Sequence, residues 1–373
     1  MSRLFTRLRR GGRGVIVAAL ALLALGSGVV AGASAASAGT NCQWQPLSLQ
    51  NGWHSEQSEW NSGDPAYCID HGIVYVSGSL AQSRSSSGSY FGQLPQQYRP
   101  ASNMYLTVYT YAGTHGVVLI DTDGTMYAYG GAATSFTSLA GISFPASWTT
   151  EQPITSFEYG WKSADSQWGT GNPSYYVSDG VVHLSGSVYN PNGTNYNIAQ
   201  LPPAARPAAD TLATVYTYGG TVGMLNVFTD GTTGTSEMTG TEADATAFTS
   251  LAGVAYPAAG SAETPLPLLN GWQSGQPPTW PSHAMSYYIS NGVVQLDGAV
   301  LNTGSGKVAV LPPAARPSHT LYLTVGTGFT NNYPCTLQID PDGSMWVYGI
   351  PPSVNNTAND WTVFSGISFE AGE

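Results

Sequence analysis

Two sets of residues, repeated along the chain, have types suited to chemistry. Trp60, Trp168 and Trp280 each follow a Gly-Trp pair (Trp53, Trp161 and Trp272) by a few residues. An indole face stacks on the C–H surface of a sugar and gives a large contact area at small entropic cost. Trp60, Trp168 and Trp280 are therefore the candidate ligand-binding residues. Trp53, Trp161 and Trp272 open the first strand of their segments and are expected in the core. The second set is Arg99, Arg206 and Arg316, which lie in a Leu-Pro-x-x-x-Arg-Pro stretch. One acidic position recurs with them: Asp123, Asp230 and Asp342. An Arg–Asp pair in each segment, with prolines fixing the arginine loop, is expected as a structural clamp. The functional alternative is an arginine that binds an acidic sugar.

Other reactive residue types lack a common register. His54, His115, His283 and His319 recur nowhere, His71 replaces the turn residues Asp179 and Asn291, and His183 stands where Tyr75 and Gln295 stand. All read as surface or turn histidines. Glu56 and Glu59 lie beside Trp53 and Trp60, and two carboxylates near aromatics suit a glycosidase, but the second copy offers only Asp165 there and the third nothing. Asp121-x-Asp123-Gly and Asp340-x-Asp342-Gly resemble a fragment of a calcium loop without its later ligands and read as hairpin turns. No nucleophile elbow, zinc-protease motif or phosphate-cradling glycine loop occurs. The expectation is no catalytic set, no metal and no cofactor. Cys42 and Cys68 form a candidate disulfide, and Cys335 is left over.

The elements that position these residues come from a repeat. Leu-Pro-Pro-Ala-Ala-Arg-Pro at 201–207 returns unchanged at 311–317, and a worn copy occupies 94–100, a spacing of roughly 110 residues. That is the length of a small domain. Each copy carries a tight turn (His71-Gly72, Asp179-Gly180, Asn291-Gly292) between β-rich runs, then a polar loop of variable sequence, then Leu-Pro…Arg-Pro. A β-branched and aromatic strand and an Asp-Gly hairpin follow. Gly and Pro punctuate every ~8–12 residues, the spacing of an all-β sandwich. The fold class is all-β: three tandem antiparallel, jelly-roll-like β-sandwich modules over 39–149, 150–262 and 263–373. If the module favours threefold contacts, the three can pack as an intramolecular pseudo-trimer in place of beads on a string.

Residues 1–38 read as a signal peptide: five arginines, an apolar run from Val15 to Leu25, and Ala36-Ser37-Ala38 as a cleavage site. Its removal leaves six cations against 22 acidic residues. A chain this acidic repels phosphate backbones and anionic lipid, so the expectation is a secreted protein with no nucleic-acid partner and no membrane association after signal removal.

The order of Trp, hairpin, Leu-Pro…Arg-Pro, strand, Asp-Gly and a closing Ile-Ser-Phe (142–144, 367–369) resembles the C-terminal receptor-binding knob of phage tail-fibre and tail-tip proteins. The resemblance covers nearly the whole of each copy. It implies a compact antiparallel sandwich or jelly roll, commonly trimeric, that binds host surface saccharides. The signal peptide and the lack of a shaft point to a secreted bacterial protein sharing that module. Taken together, the sequence reads as a non-enzymatic protein that binds a surface glycan or polymer multivalently. The variable loops and Tyr-rich strands offer a second possible surface. The alternatives are a structural or adhesive coat protein with protein partners, and a hydrolase with one active module.

Overall fold

A two-residue turn closes the first hairpin of every copy. His71, Asp179 and Asn291 have φ of 44°, 49° and 48°, and each is followed by a left-handed glycine, the pair of positive φ angles that matches strand twist. The structure, a computed structural model, describes residues 42–193, 195–275, 283–327, 333–350 and 361–372. The segment 1–38, read from the sequence as a signal peptide, and Trp280 lie outside the described residues.

Each copy contains one four-stranded and one seven-stranded antiparallel sheet, with the same strand order in all three. In the first copy the small sheet runs Gln45–Pro46, Ala66–Asp70, Ile73–Ser77, Ile142–Pro145. The large sheet runs Trp53–Ser55, Ser79–Gln82, Thr137–Ser138, Met104–Thr110, Thr114–Ile120, Thr125–Tyr129, Tyr90–Gln93. The chain passes from one sheet to the other directly after Ser77. Met104–Thr110 alternates buried and half-buried residues along its whole length, as expected of a strand with one face on a core. Apolar side chains from both sheets, among them Val74, Val76, Leu80, Phe91, Leu106 and Phe144, meet in one cluster. The other copies repeat this core. Trp53, Trp161 and Trp272 are 4%, 2% and 7% exposed, so the first tryptophan of each copy is core. Cys42 and Cys68 are disulfide-bonded, and Cys335 is a buried free thiol.

The three copies close on one another as a ring. Their longest central strands, Met104–Thr110, Thr211–Thr217 and Leu321–Thr327, pack mutually. Between them lies a small cavity of about 70 Å³ lined by Thr107, Thr214 and Thr324 among others. At each seam a glycine of one copy meets a side chain of another. A Cβ on Gly253 would lie 2.5 Å from Leu106, on Gly366 2.7 Å from Ala213, and on Gly141 2.7 Å from Leu323. The contacts run second copy on first, third on second, first on third: a head-to-tail interface closed by a pseudo-threefold axis. The three hairpin turns also converge. His71 Nδ1 is 3.2 Å from Asp179 Oδ2 and 3.2 Å from Asn291 Nδ2, and the Tyr288 hydroxyl donates to the Asp179 carbonyl at 3.0 Å. The chain is thus a pseudo-trimer of linked copies.

Candidate functional site

The recurrent arginines sit where proline geometry puts them. Arg99, Arg206 and Arg316 each follow a single 3₁₀ turn, and their Nε–H groups donate to the carbonyls of Leu94, Leu201 and Leu311 at 3.1, 3.4 and 3.0 Å. The same leucines donate their backbone N–H to the carbonyls of Gly124, Gly231 and Gly343 at 2.9, 2.7 and 2.9 Å. The guanidinium stem lies across that glycine so closely that a Cβ on Gly343 would fall 3.0 Å from Arg316 Cγ. The Asp does not pair directly with the Arg. Among the described residues no Arg–carboxylate contact falls within 4.0 Å. Instead Asp123, Asp230 and Asp342 each accept the backbone N–H two residues on, at 2.9, 2.8 and 2.8 Å. The clamp between the two motifs exists, but the Arg closes it on backbone and the Asp caps its own turn. The bonds from Thr125, Thr232 and Ser344 hold the three carboxyls below the ordinary carboxylate range, and the nearby Arg charge adds to this.

The second tryptophans occupy the seams. Trp60 ends the one-turn helix Gln57–Trp60, and Trp168 ends Asp165–Trp168. Both are half-buried. Trp60 meets Phe136 edge-on at 5.4 Å, and Tyr322 of the third copy at 6.1 Å. Trp168 meets Phe248 at 5.3 Å, and Tyr105 of the first copy at 6.4 Å. A stacked tyrosine pair completes each of these two seams: Tyr109 on Tyr322 at 5.5 Å, and Tyr105 on Tyr216 at 5.3 Å. At the third seam Gly326 stands in place of the inner tyrosine, and Leu212, Met224, Met238, Trp361 and Val363 fill the space. The two described members of the candidate set are therefore seam residues with an exposed margin and not free platforms. Trp280, as noted, falls outside the described residues.

Beside Trp60 and Trp168 the variable loop opens a groove at an equivalent place in the first and second copies. In the first copy it measures about 550 Å³ and is lined by His54, Gln82, Arg84, Tyr111 and Ser135 among others. In the second it measures about 670 Å³ and is lined by Trp168, Tyr189, Asn190, Asn192, Tyr218 and Ala247 among others. Gln82 matches Asn190, Arg84 matches Asn192, and Tyr111 matches Tyr218. Tyr111 and Tyr218 are each 44% exposed. The loop amides hold the rim: Gln82 Nε2 donates to Gly88 O at 2.8 Å, and Asn190 Oδ1 accepts Asn192 N at 3.0 Å. An exposed aromatic face beside fixed polar groups suits a polyol. Glu56, paired with the groove-lining His54, is buried and 3.1 Å from His54 Nε2. Burial and then the charge of Glu59 raise its carboxyl. Glu59 itself is exposed.

Two histidines differ from the sequence expectation. His183 is 2% exposed, not on a wet face, because its strand is covered on that side by a neighbouring copy. Burial pushes its imidazole down to about 3. His283 stands in a cluster that sequence reading missed. Its Nε2 lies 2.9 Å from Glu263 Oε2, 3.1 Å from Ser286 Oγ and 4.0 Å from Asp297 Oδ2. Burial raises Asp297 to about 7. Glu263 directly precedes the strand Thr264–Pro265, His283 lies three residues before Ser286–Ser290, and Asp297 ends Val293–Asp297; these strands are adjacent, with Pro265 opposite Ser286 and Ser286 opposite Asp297. The available signal was a departure from the repeat: His283 replaces Gly63 and Gly171, and Asp297 replaces Ser77 and Ser185.

No family model matches the chain, and neither a curated protein nor a solved structure resembles it significantly.

Proposed function

We propose that this protein is a secreted, non-enzymatic binder of a surface glycan or neutral polymer, engaging it through repeated grooves on one rigid pseudo-trimer. The supporting observation is the recurrence of the Tyr111 groove at Tyr218, at the same place in the module and with the same exposure. Each groove is shallow and open, so one site alone binds weakly. Two or more held at a fixed spacing raise avidity without new contacts. The mature chain's acidity favours a neutral or basic polymer over an acidic one. The closed ring of three copies accords with the trimeric receptor-binding knobs that its motifs resemble, and a saccharide ligand fits that likeness.

The test is retention on neutral and acidic polysaccharide arrays of the full chain and of Tyr111→Ala, Tyr218→Ala and the double variant. Each single change is expected to weaken retention about tenfold, the double variant far more. Undiminished retention of a folded double variant rejects these grooves as the site. A second reading rests on Trp148 and Tyr159, which are 61% and 58% exposed. Exposed aromatics of this size suit a protein partner in an adhesive coat. Loss of self-association or partner capture in Trp148→Ala, with glycan retention intact, distinguishes it.

A further inference from the structure

The Glu263–His283–Asp297 cluster belongs to the third copy alone. In the second copy Glu151 Oε2 still accepts a hydrogen bond from Ser174 Oγ at 2.6 Å. Gly171 and Ser185 there supply neither imidazole nor carboxylate. The first copy has Trp44, Gly63 and Ser77 at the three positions. The third copy thus presents one imidazole nitrogen and two carboxylates, with ligand atoms all within 4.8 Å of one another. The Asp297 side chain is 1% exposed. Its Oδ1 accepts from Gly298 N at 2.8 Å and from Ser365 Oγ, while its Oδ2 has no hydrogen-bond partner among the described residues and lies 4.0 Å from His283 Nε2. A buried carboxylate oxygen left without a donor is costly and calls for a cation. Asp210 of the second copy adds a further negative field at His283.

We propose that Glu263, His283 and Asp297 bind one divalent first-row transition cation of the zinc class at the seam between the second and third copies. Ligands ~2.0–2.2 Å from a shared ion lie ~3.0–3.6 Å from one another. The two His283 edges, 2.9 Å to Glu263 and 4.0 Å to Asp297, bracket that range, and the third edge lies within 4.8 Å, so closure on an ion takes shifts of about an ångström. Mixed imidazole and carboxylate donors favour zinc or its neighbours over calcium, which takes six or more oxygens. Ser286 Oγ, bonded to Glu263 Oε2, and Ser365 Oγ, bonded to Asp297 Oδ1, orient the carboxylates as outer partners. The ion balances the carboxylates and ties the edge strand, its neighbour and the inner strand of the small sheet together.

The full chain, stripped with EDTA and desalted, is titrated with Zn²⁺ and separately with Ca²⁺ by calorimetry. One Zn²⁺ per chain and a raised unfolding temperature are expected, with weaker Ca²⁺ binding. His283→Gly and Asp297→Ser restore residues the sister copies carry at these positions. Each is expected to lower Zn²⁺ affinity at least about tenfold, while Glu151→Gln leaves it unchanged. Absence of stoichiometric Zn²⁺ binding, preference for Ca²⁺, or full affinity in both variants overturns the site. Should a variant fail to fold, Co²⁺ bound to the unaltered chain decides it. Visible d–d bands of nitrogen–oxygen ligation support the site, and their absence overturns it.

Discussion

Leu106 of the first copy seats against Gly253 of the second, where a Cβ would fall 2.5 Å from the leucine Cδ2. Gly253 also has φ of +80°, so the position resists a side chain on two grounds. Gly253→Ala is expected to lower stability by about 1–3 kcal/mol, read as the midpoint of denaturant unfolding. An unchanged midpoint would show that the seam yields freely. Small-angle scattering of the wild-type chain is expected to give a compact particle, and an elongated profile three copies long would reject the ring.

Arg206 donates Nε–H to Leu201 O while the same Nε lies against Gly231. Arg206→Ala removes a charge-assisted bond and this packing together, an expected loss of about 1–3 kcal/mol. Arg206→Lys restores the charge but not the planar Nε–H, so it is expected to recover little. Polysaccharide retention should survive both changes in folded protein. Lost retention at full stability would make the arginine a ligand residue.

Glu237 carries a pH-dependent penalty. Burial pushes its carboxyl from the ordinary 4.5 up to about 8, only partly offset by the hydrogen bond from Thr217 at 3.0 Å. Between these values the unfolded chain has released the proton and the folded chain retains it. Stability therefore falls as pH rises from about 4.5 to about 8 and levels above that. Glu237→Gln removes the titration and is expected to flatten this interval, gaining on the order of a few kcal/mol at pH 8. Unfolding curves at pH 5 and pH 8 measure it, and parallel behaviour of variant and wild type would mean water reaches the carboxylate.

His71 acts in the opposite way. The hydrogen bond to Asp70, then the charges of Asp70 and Asp179, raise its imidazole above the ordinary 6.5. Its stabilisation is complete below about pH 6.5 and is lost as pH rises through the elevated value. Half of the side chain is exposed, so solvent screening keeps the effect small. His71→Asn, which installs the residue of the third copy, is expected to lower the melting temperature at pH 5.5 more than at pH 8.5. An equal shift at both pH values would remove the ion pair from the account.

Much of the architecture was legible because a triplicate sequence is its own alignment. Turn pairs such as Asn291-Gly292 demand positive φ, and strands such as Met104–Thr110 alternate. Both are local backbone rules that neighbours along the chain enforce. The same locality placed Trp53, Trp161 and Trp272 in the core and brought Leu-Pro…Arg-Pro to the Asp-Gly turn. The atoms of that clamp were not legible, since which oxygen faces Arg99 Nε depends on the path of the 3₁₀ turn.

What only the tertiary structure decided arises where the copies meet. His183 alternates as if its strand had a wet face, but another copy covers that face. Trp60 reads as an open platform until Tyr322, more than 250 residues later, closes its edge. Asp297 and His283 fall into one cluster because antiparallel pairing sets Ser286 opposite Asp297. Periodicity reports what lies above or below a strand in its own module. It carries no record of surfaces that a pseudo-threefold ring brings together, because those contacts join residues with no fixed spacing in the chain.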